Sequence, residues 1–187
     1  MSAPDLAALV GSRLCHDLVS PLGAIGNGVE LLRLIQPASP ELDMVNEAVA
    51  AAQARLRLFR LAFGAASEGQ SIRPAEVNEA LAGLAAHGRI TLANGLGEPL
   101  PRPQARRLAL AALCVESALP WGGSVSVEPM ALRATATRLR LDPALWEALT
   151  QRAPLADPTP ATVHFALLAA DGPVTLTRDE AGFTLRL

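Results

Sequence analysis

From Leu6 to Phe63 the chain reads as two successive amphipathic helices, and two helices with broad apolar faces cannot bury both faces against each other alone. The first carries Leu6, Leu9, Val10, Leu14, Leu18, Leu22, Ile25, Val29, Leu32 and Ile35 at helical spacing. Pro4 suits its first turn, and QPASP (36–40) ends it and makes a short connection. The second begins near Pro40 and carries Leu42, Val45, Val49, Ala52, Leu56, Phe59 and Phe63 in alternating steps of three and four, a heptad pattern. GAASEGQS (64–71) breaks that pattern and reads as a linker. An antiparallel hairpin over 1–68 needs a cover for its remaining apolar face. A second copy, giving a dimeric four-helix bundle, is the economical one; the chain's own C-terminal half is the alternative.

Residues 69–187 change character. PAEVNEALAGLAAH (74–87) predicts a helix and RITLAN (89–94) a strand. A helix over 103–119 and a PWGG turn (120–123) come next. Then come strands over 124–129 and 131–141, a short helix over 142–149, a helix over 159–170 and a terminal hairpin. This order predicts an α/β sandwich, one mostly antiparallel sheet covered on one face by helices.

Composition narrows the chemistry. The net charge is −2 with no basic block, which disfavours nucleic acid as a partner. No run of about 18 uninterrupted apolar residues suggests a membrane span. Asp5 precedes any basic residue, so no signal peptide is expected. Cys15 and Cys114 form neither a disulfide framework nor metal-ligand spacing, and a reducing cytoplasm is the simplest setting. All sixteen basic residues are arginine, and there is no tyrosine. Walker-type and Schiff-base lysines and Tyr–Lys acid–base pairs are therefore excluded. Each positive charge is a planar fork suited to carboxylate or phosphate.

LCHDLVSPLGAIGNG (14–28) places a histidine, a proline and three glycines inside the first helix. With Leu14 at zero, Leu18, Leu22, Ile25, Val29 and Leu32 project between roughly 0° and 80°, and His16 near 200°, on the solvent side. Its neighbours on that face are Ser12, Ser20, Gly23 and Asn27, small or short residues where a solvated helix would carry Glu, Arg and Gln. Such a face is cleared for close approach by another macromolecule. Pro21 costs on the order of 3 kcal/mol in a helix interior and removes the hydrogen bond to the Asp17 carbonyl, bending the turn that holds the histidine. Cys15 lies about 100° away around the helix, which argues against a Cys–His pair. With the turn centred near Ala38, residues whose numbers sum to about 76 lie level, so Arg60 is level with His16 and Arg57 lies one turn nearer the loop. Either could contact phosphate or an acidic surface, or simply flank the heptad in solvent.

His16-Asp17-Leu18-Val19-Ser20-Pro21 matches the H-[DE]-x-x-x-[PN] phosphoacceptor box of sensor histidine kinases. Nearly the whole chain resembles a kinase dimerisation and phosphotransfer hairpin followed by a Bergerat-like ATP-binding fold. The second half departs where ATP should bind. Glu116 stands where those enzymes carry a Mg²⁺-binding asparagine, and no D-x-G-x-G or later G-x-G appears after Val125. The strand at 131–141 runs almost directly into the next helix, leaving no room for an ATP lid. The combination is similar to the dimeric histidine phosphotransferases of the ChpT type, in which a degenerate ATPase-like domain binds no ATP.

That resemblance implies a phosphorelay. His16 would accept a phosphoryl group from one receiver aspartate and pass it to another, and Asp17 would hold the other imidazole nitrogen. Receivers would dock over Ser12, Ser20, Gly23, Asn27, Arg57 and Arg60 and bring their own Mg²⁺, so no cofactor is expected on this chain. The donor would be the receiver of a hybrid histidine kinase, and the acceptors regulators of the CtrA and CpdR kind in bacterial cell-cycle control. An active histidine kinase is disfavoured by the missing glycine boxes. A non-catalytic dimeric adaptor or pseudokinase, or a receiver phosphatase using the Ser20 hydroxyl to orient water, are the other readings. His87 and His164 read as structural.

Overall fold

A computed structural model describes residues 6–37, 39–67, 69–86 and 88–187; Pro4, Ala38 and His87 lie outside those residues. Helix α1 spans Leu6–Ile35 and runs unbroken through Pro21; α2 spans Pro40–Phe63. Ser39 starts α2 by accepting a hydrogen bond from the Leu42 amide at 3.2 Å, with Pro40 in the first turn where its missing N–H costs nothing.

The two helices pack antiparallel along small residues. A Cβ on Gly11 would lie 2.9 Å from the Phe63 carbonyl oxygen, and one on Gly26 would lie 3.0 Å from Gln53 Nε2. Gln53 donates through that nitrogen to the Leu22 carbonyl. This close approach divides the apolar face that the sequence presents as one. Cys15 and Val29 are buried, whereas Leu14, Leu18, Ile25 and Leu32 stay exposed, Leu14 at 59%. The glycines let α2 settle beside the larger side chains instead of onto them. By length and composition α1 is apolar enough to cross a membrane, with a mean hydropathy of 1.3 over an 18-residue stretch within Ala8–Ile35.

The C-terminal end of α2 has a second apolar face that the heptad does not contain. Leu58, Leu61 and Ala62 are buried in the core of the C-terminal half, so that half covers part of the hairpin. There α3 (Pro74–Leu81) stops at a 3₁₀ turn, Ala82–Leu84, instead of continuing to residue 87. Gly83 lies so close to α2 that a Cβ would stand 2.7 Å from the Ala54 carbonyl oxygen. The expected linker is partly structured. β1 (Ser71–Ile72) pairs antiparallel with β3 (Leu100–Pro101), a contact too short to leave a periodic signal in sequence.

A mixed sheet carries the rest. Its strands are β2 (Ile90–Asn94), β4 (Gly123–Glu128), β5 (Ala131–Thr135), β6 (Thr175–Arg178) and β7 (Gly182–Arg186), in the order β2-β4-β5-β7-β6. Only β2 and β4 run parallel. Val125, Val127, Leu132, Ala134, Phe183 and Leu185 turn to the buried face, as alternation requires. Helix α4 (Arg102–Ser117) lies in the core, with α5 (Pro143–Gln151) and α6 (Val163–Asp171) beside it. Two expected elements are shorter than their sequence patterns. β5 ends at Thr135, so 136–141 form a connection, and α6 begins at Val163, after a turn in which Thr159 and Thr162 bond each other.

Candidate functional site

His16 projects from the outer face of α1 with its side chain 82% exposed. Its Nδ1 lies 3.1 Å from Asp17 Oδ1. An ionised carboxylate only accepts, so Nδ1 carries a proton and donates, and in the neutral ring this leaves the Nε2 lone pair toward solvent. Asp17 also takes the Arg13 guanidinium on its other oxygen, at 2.8 Å. The His16 hydrogen bond first, and the Arg13 charge after it, hold the Asp17 carboxyl below the usual aspartate range.

Beside the imidazole lies a groove of about 850 Å³. One wall is α1, through Ser12, Val19 and Ser20. The other is built by Arg60 near the end of α2, by Gly64 and Ala65 just past it, and by residues 70–72. Arg102 reaches the groove from the start of α4. Arg102 is 8% exposed, and its guanidinium donates to the carbonyls of Leu61 (2.9 Å), Arg60 (3.2 Å) and Gly64 (3.3 Å). The Leu61 and Gly64 carbonyls lie at the end of α2 and its cap, where the helix runs out of amide donors and the dipole favours a cation; the Arg60 carbonyl also accepts from the Gly64 amide at 3.1 Å. Burial, with the nearby Arg106 and Arg60 charges, lowers the Arg102 pKa to about 10, which leaves it protonated at neutral pH. A side chain on Gly64 would collide with the Arg60 carbonyl and crowd Arg102 and Ser12.

The predicted residues divide. His16, Ser12, Ser20 and Arg60 come together at one groove. Ser12 is there as a tie, since its Oγ accepts from the Ala65 amide at 3.0 Å. Arg57 borders a neighbouring depression with Arg60, Arg102, Glu76 and Glu79. Gly23 and Asn27 are not among the residues that line either groove, and a Cβ on Gly23 would meet nothing within 4 Å. Sequence reasoning missed Arg102. A cation between Pro101 and Pro103 at a helix N-terminus opposes the helix dipole, and that conflict was the available signal.

The other titratable groups are structural in their surroundings. Burial pushes the Cys15 thiol up, and the Arg60 charge partly offsets this. Glu116 is held by Arg55 of α2 at 2.7 Å, both largely shielded from water. His164 lies in the first turn of α6 with its ring 4.9 Å from Phe165; burial, then the Arg55 charge, lowers its pKa to about 4. Among the described residues, no three His, Cys, Asp or Glu side chains gather as a metal site.

Residues 74–171 match the family model of the histidine phosphotransferase C-terminal domain. The chain belongs to that family. The curated phosphotransferase ChpT of Brucella abortus (strain 2308) is 35% identical over 129 residues, which cover 68% of this chain and 62% of that protein. The match thus spans less than two thirds of its relative's length. A solved bacterial phosphotransferase superposes with a TM-score of 0.64 at 28% identity, covering 99% of this chain and 96% of that one. A histidine kinase domain from Erythrobacter litoralis EL346 gives a TM-score of only 0.41 at 14% identity, over 89% of this chain and 93% of that one. The matched family segment begins after α2, so His16 and its helix stand outside it.

Proposed function

We propose that the chain relays a phosphoryl group between the aspartates of response-regulator receiver domains through a phosphohistidine at His16. One observation carries this reading: an open imidazole whose Nδ1 is tied to Asp17, beside the Arg60 groove. In the first step Nε2 attacks the phosphorus of an aspartyl phosphate. The P–O bond to the aspartyl carboxylate breaks as the N–P bond forms, and the carboxylate departs. The proton stays on Nδ1, and Asp17 offsets the positive charge that develops on the ring. Onward transfer reverses these steps on a second aspartate. The transition state is loose, so positioning and charge neutralisation dominate, and Arg60 supplies a fixed positive fork at the groove.

In this reading residues 1–68 are the dimerisation and phosphotransfer hairpin and 69–187 a degenerate, Bergerat-like ATPase domain. The open Leu14, Leu18, Ile25 and Leu32 strip of α1 supports a homodimeric four-helix bundle. That strip occupies one side of a helix that carries His16 and Asp17 elsewhere on its surface. Arg13, His16, Asp17, Glu30 and Arg33 along the same helix favour a protein partner over a lipid environment, and the reading is of a cytoplasmic protein. The receivers bring Mg²⁺, and the chain uses no ATP; the Arg55–Glu116 pair fits that expectation. A hybrid kinase receiver as donor and CtrA- or CpdR-like regulators as acceptors come from the resemblance. Ser20 lines the same groove, which keeps a receiver phosphatase as the second reading.

A two-receiver assay tests the proposal. Label from a phosphorylated receiver should pass to this chain and then to a second receiver, while ATP alone leaves the chain unlabelled. Transfer that survives in His16→Gln, or labelling by ATP, would overturn it. Loss of receiver label as inorganic phosphate, prevented by Ser20→Ala, would identify the phosphatase instead.

A further inference from the structure

Outside the hairpin, Trp121 is the one large apolar side chain among the described residues that stands open to solvent, at 53% exposure. The other tryptophan, Trp146, is 2% exposed and sits edge-on to Phe165 and Phe183. Trp121 lies in the turn between α4 and β4, and that turn is firmly held. The Gly122 amide donates to the Leu119 carbonyl, the Gly123 amide to the Arg89 carbonyl, and Arg89 Nη1 to the Pro120 carbonyl, all between 3.0 and 3.1 Å. Gly122 adopts φ +93, which an L side chain rarely takes, so the turn depends on glycine there. The indole is thus presented on a rigid knob.

Arginines surround it. The Arg138 guanidinium lies 3.8 Å from the Trp121 ring centroid, and the Arg140 amide donates to the Ala118 carbonyl, which brings it to the same end of α4. Arg89, Arg138 and Arg140 are exposed, and none has a carboxylate within ion-pair distance among the described residues. Asp142, two positions beyond Arg140, is engaged in capping α5 through the Ala144 and Leu145 amides.

We propose that this knob is a docking surface for an acidic segment of a protein partner, which lays an apolar group on the free side of Trp121 and carboxylates against Arg89, Arg138 and Arg140. Tryptophan and arginine are the residues through which protein interfaces most often draw their affinity, and three forks without a carboxylate partner at one turn complement a short run of carboxylates. A nucleic acid would instead call for an extended basic track, and the chain's net charge is −2. The surface lies at the opposite end of α4 from Arg102, roughly 24 Å along the helix axis, so a partner bound here leaves the His16 groove open. The proposal does not depend on the role of His16.

The full chain has two indole N–H resonances, which Trp121→Phe assigns. A short synthetic peptide alternating Glu and Asp around one Leu should shift the Trp121 resonance saturably and leave that of Trp146 in place. Affinity should fall by about tenfold or more in the Arg138→Glu, Arg140→Glu double variant, and likewise for the same peptide rebuilt with Gln and Asn. An unmoved Trp146 signal shows that the double variant is folded. The proposal is overturned if the acidic peptide leaves Trp121 unmoved, if the Gln/Asn peptide binds equally, if the charge-reversed double variant binds unchanged, or if a single-stranded oligonucleotide binds more tightly.

Discussion

In α4, Leu108 through Val115 are all buried by the sheet and neighbouring helices of the same chain, whereas the longer α1 keeps Leu14, Leu18, Ile25 and Leu32 in water. Both helices are rich in apolar side chains. The difference lies in what surrounds them. α4 is enclosed by the sheet, by α6 and by the end of α2, while α1 meets α2 along a strip of glycine and small residues and turns its leucines outward. An apolar helix therefore has two uses within one molecule: the first builds a core, and the second holds a surface in reserve while carrying an exposed imidazole.

Several substitutions would break or sharpen this contrast. The largest effect belongs to His16→Gln, which should abolish labelling by a phosphorylated receiver while the circular dichroism spectrum and melting temperature stay unchanged. Next is Leu110→Ala in the fully buried helix, which should cost about 3 kcal/mol in denaturant unfolding at every protein concentration. In α1 the corresponding test is Leu18→Arg with Ile25→Arg. Sedimentation analysis should show association weakened at least about a hundredfold, because two copies each lose two apolar contacts. Unchanged association would leave the exposed strip without its proposed occupant.

Acid should separate the halves further. Unfolded His164 takes a proton near its ordinary pKa of about 6.5, but folded His164 does so only near 4. Between those values unfolding binds a proton, so stability falls as pH falls, by about 2 kcal/mol from pH 7 to pH 5. Urea titrations at the two pH values measure this, and His164→Leu should remove that part of the slope. The smallest effect is expected from Asp17→Asn, which keeps an acceptor for Nδ1 and removes the charge. Phosphotransfer should slow by about tenfold without loss of stability.

The hairpin was legible because its signals are local: Ser39 and Pro40 open α2, and the position of His16 around α1 comes from helical period alone. Which leucines of α1 would be covered was not legible, because Gly11 and Gly26 set the closeness of α2 and no single-helix projection contains that distance. The second apolar face of α2 was hidden for a related reason, since Leu58, Leu61 and Ala62 answer to α4, far along the chain. At the site, the histidine turn could be read directly. The groove could not, because its far wall is assembled from residues 64–72 and Arg102, brought together by a two-residue strand pair and one buried guanidinium.

Arg102 gives the molecule an economy with a consequence for its evolution. The same carbonyls it clamps, those of Arg60, Leu61 and Gly64, fasten the hairpin to the sheet layer and shape the doorway beside the imidazole. Joint and doorway cannot drift apart. A lineage that loosens the first must remodel the second, and one that reshapes the opening must do so within what the joint will bear.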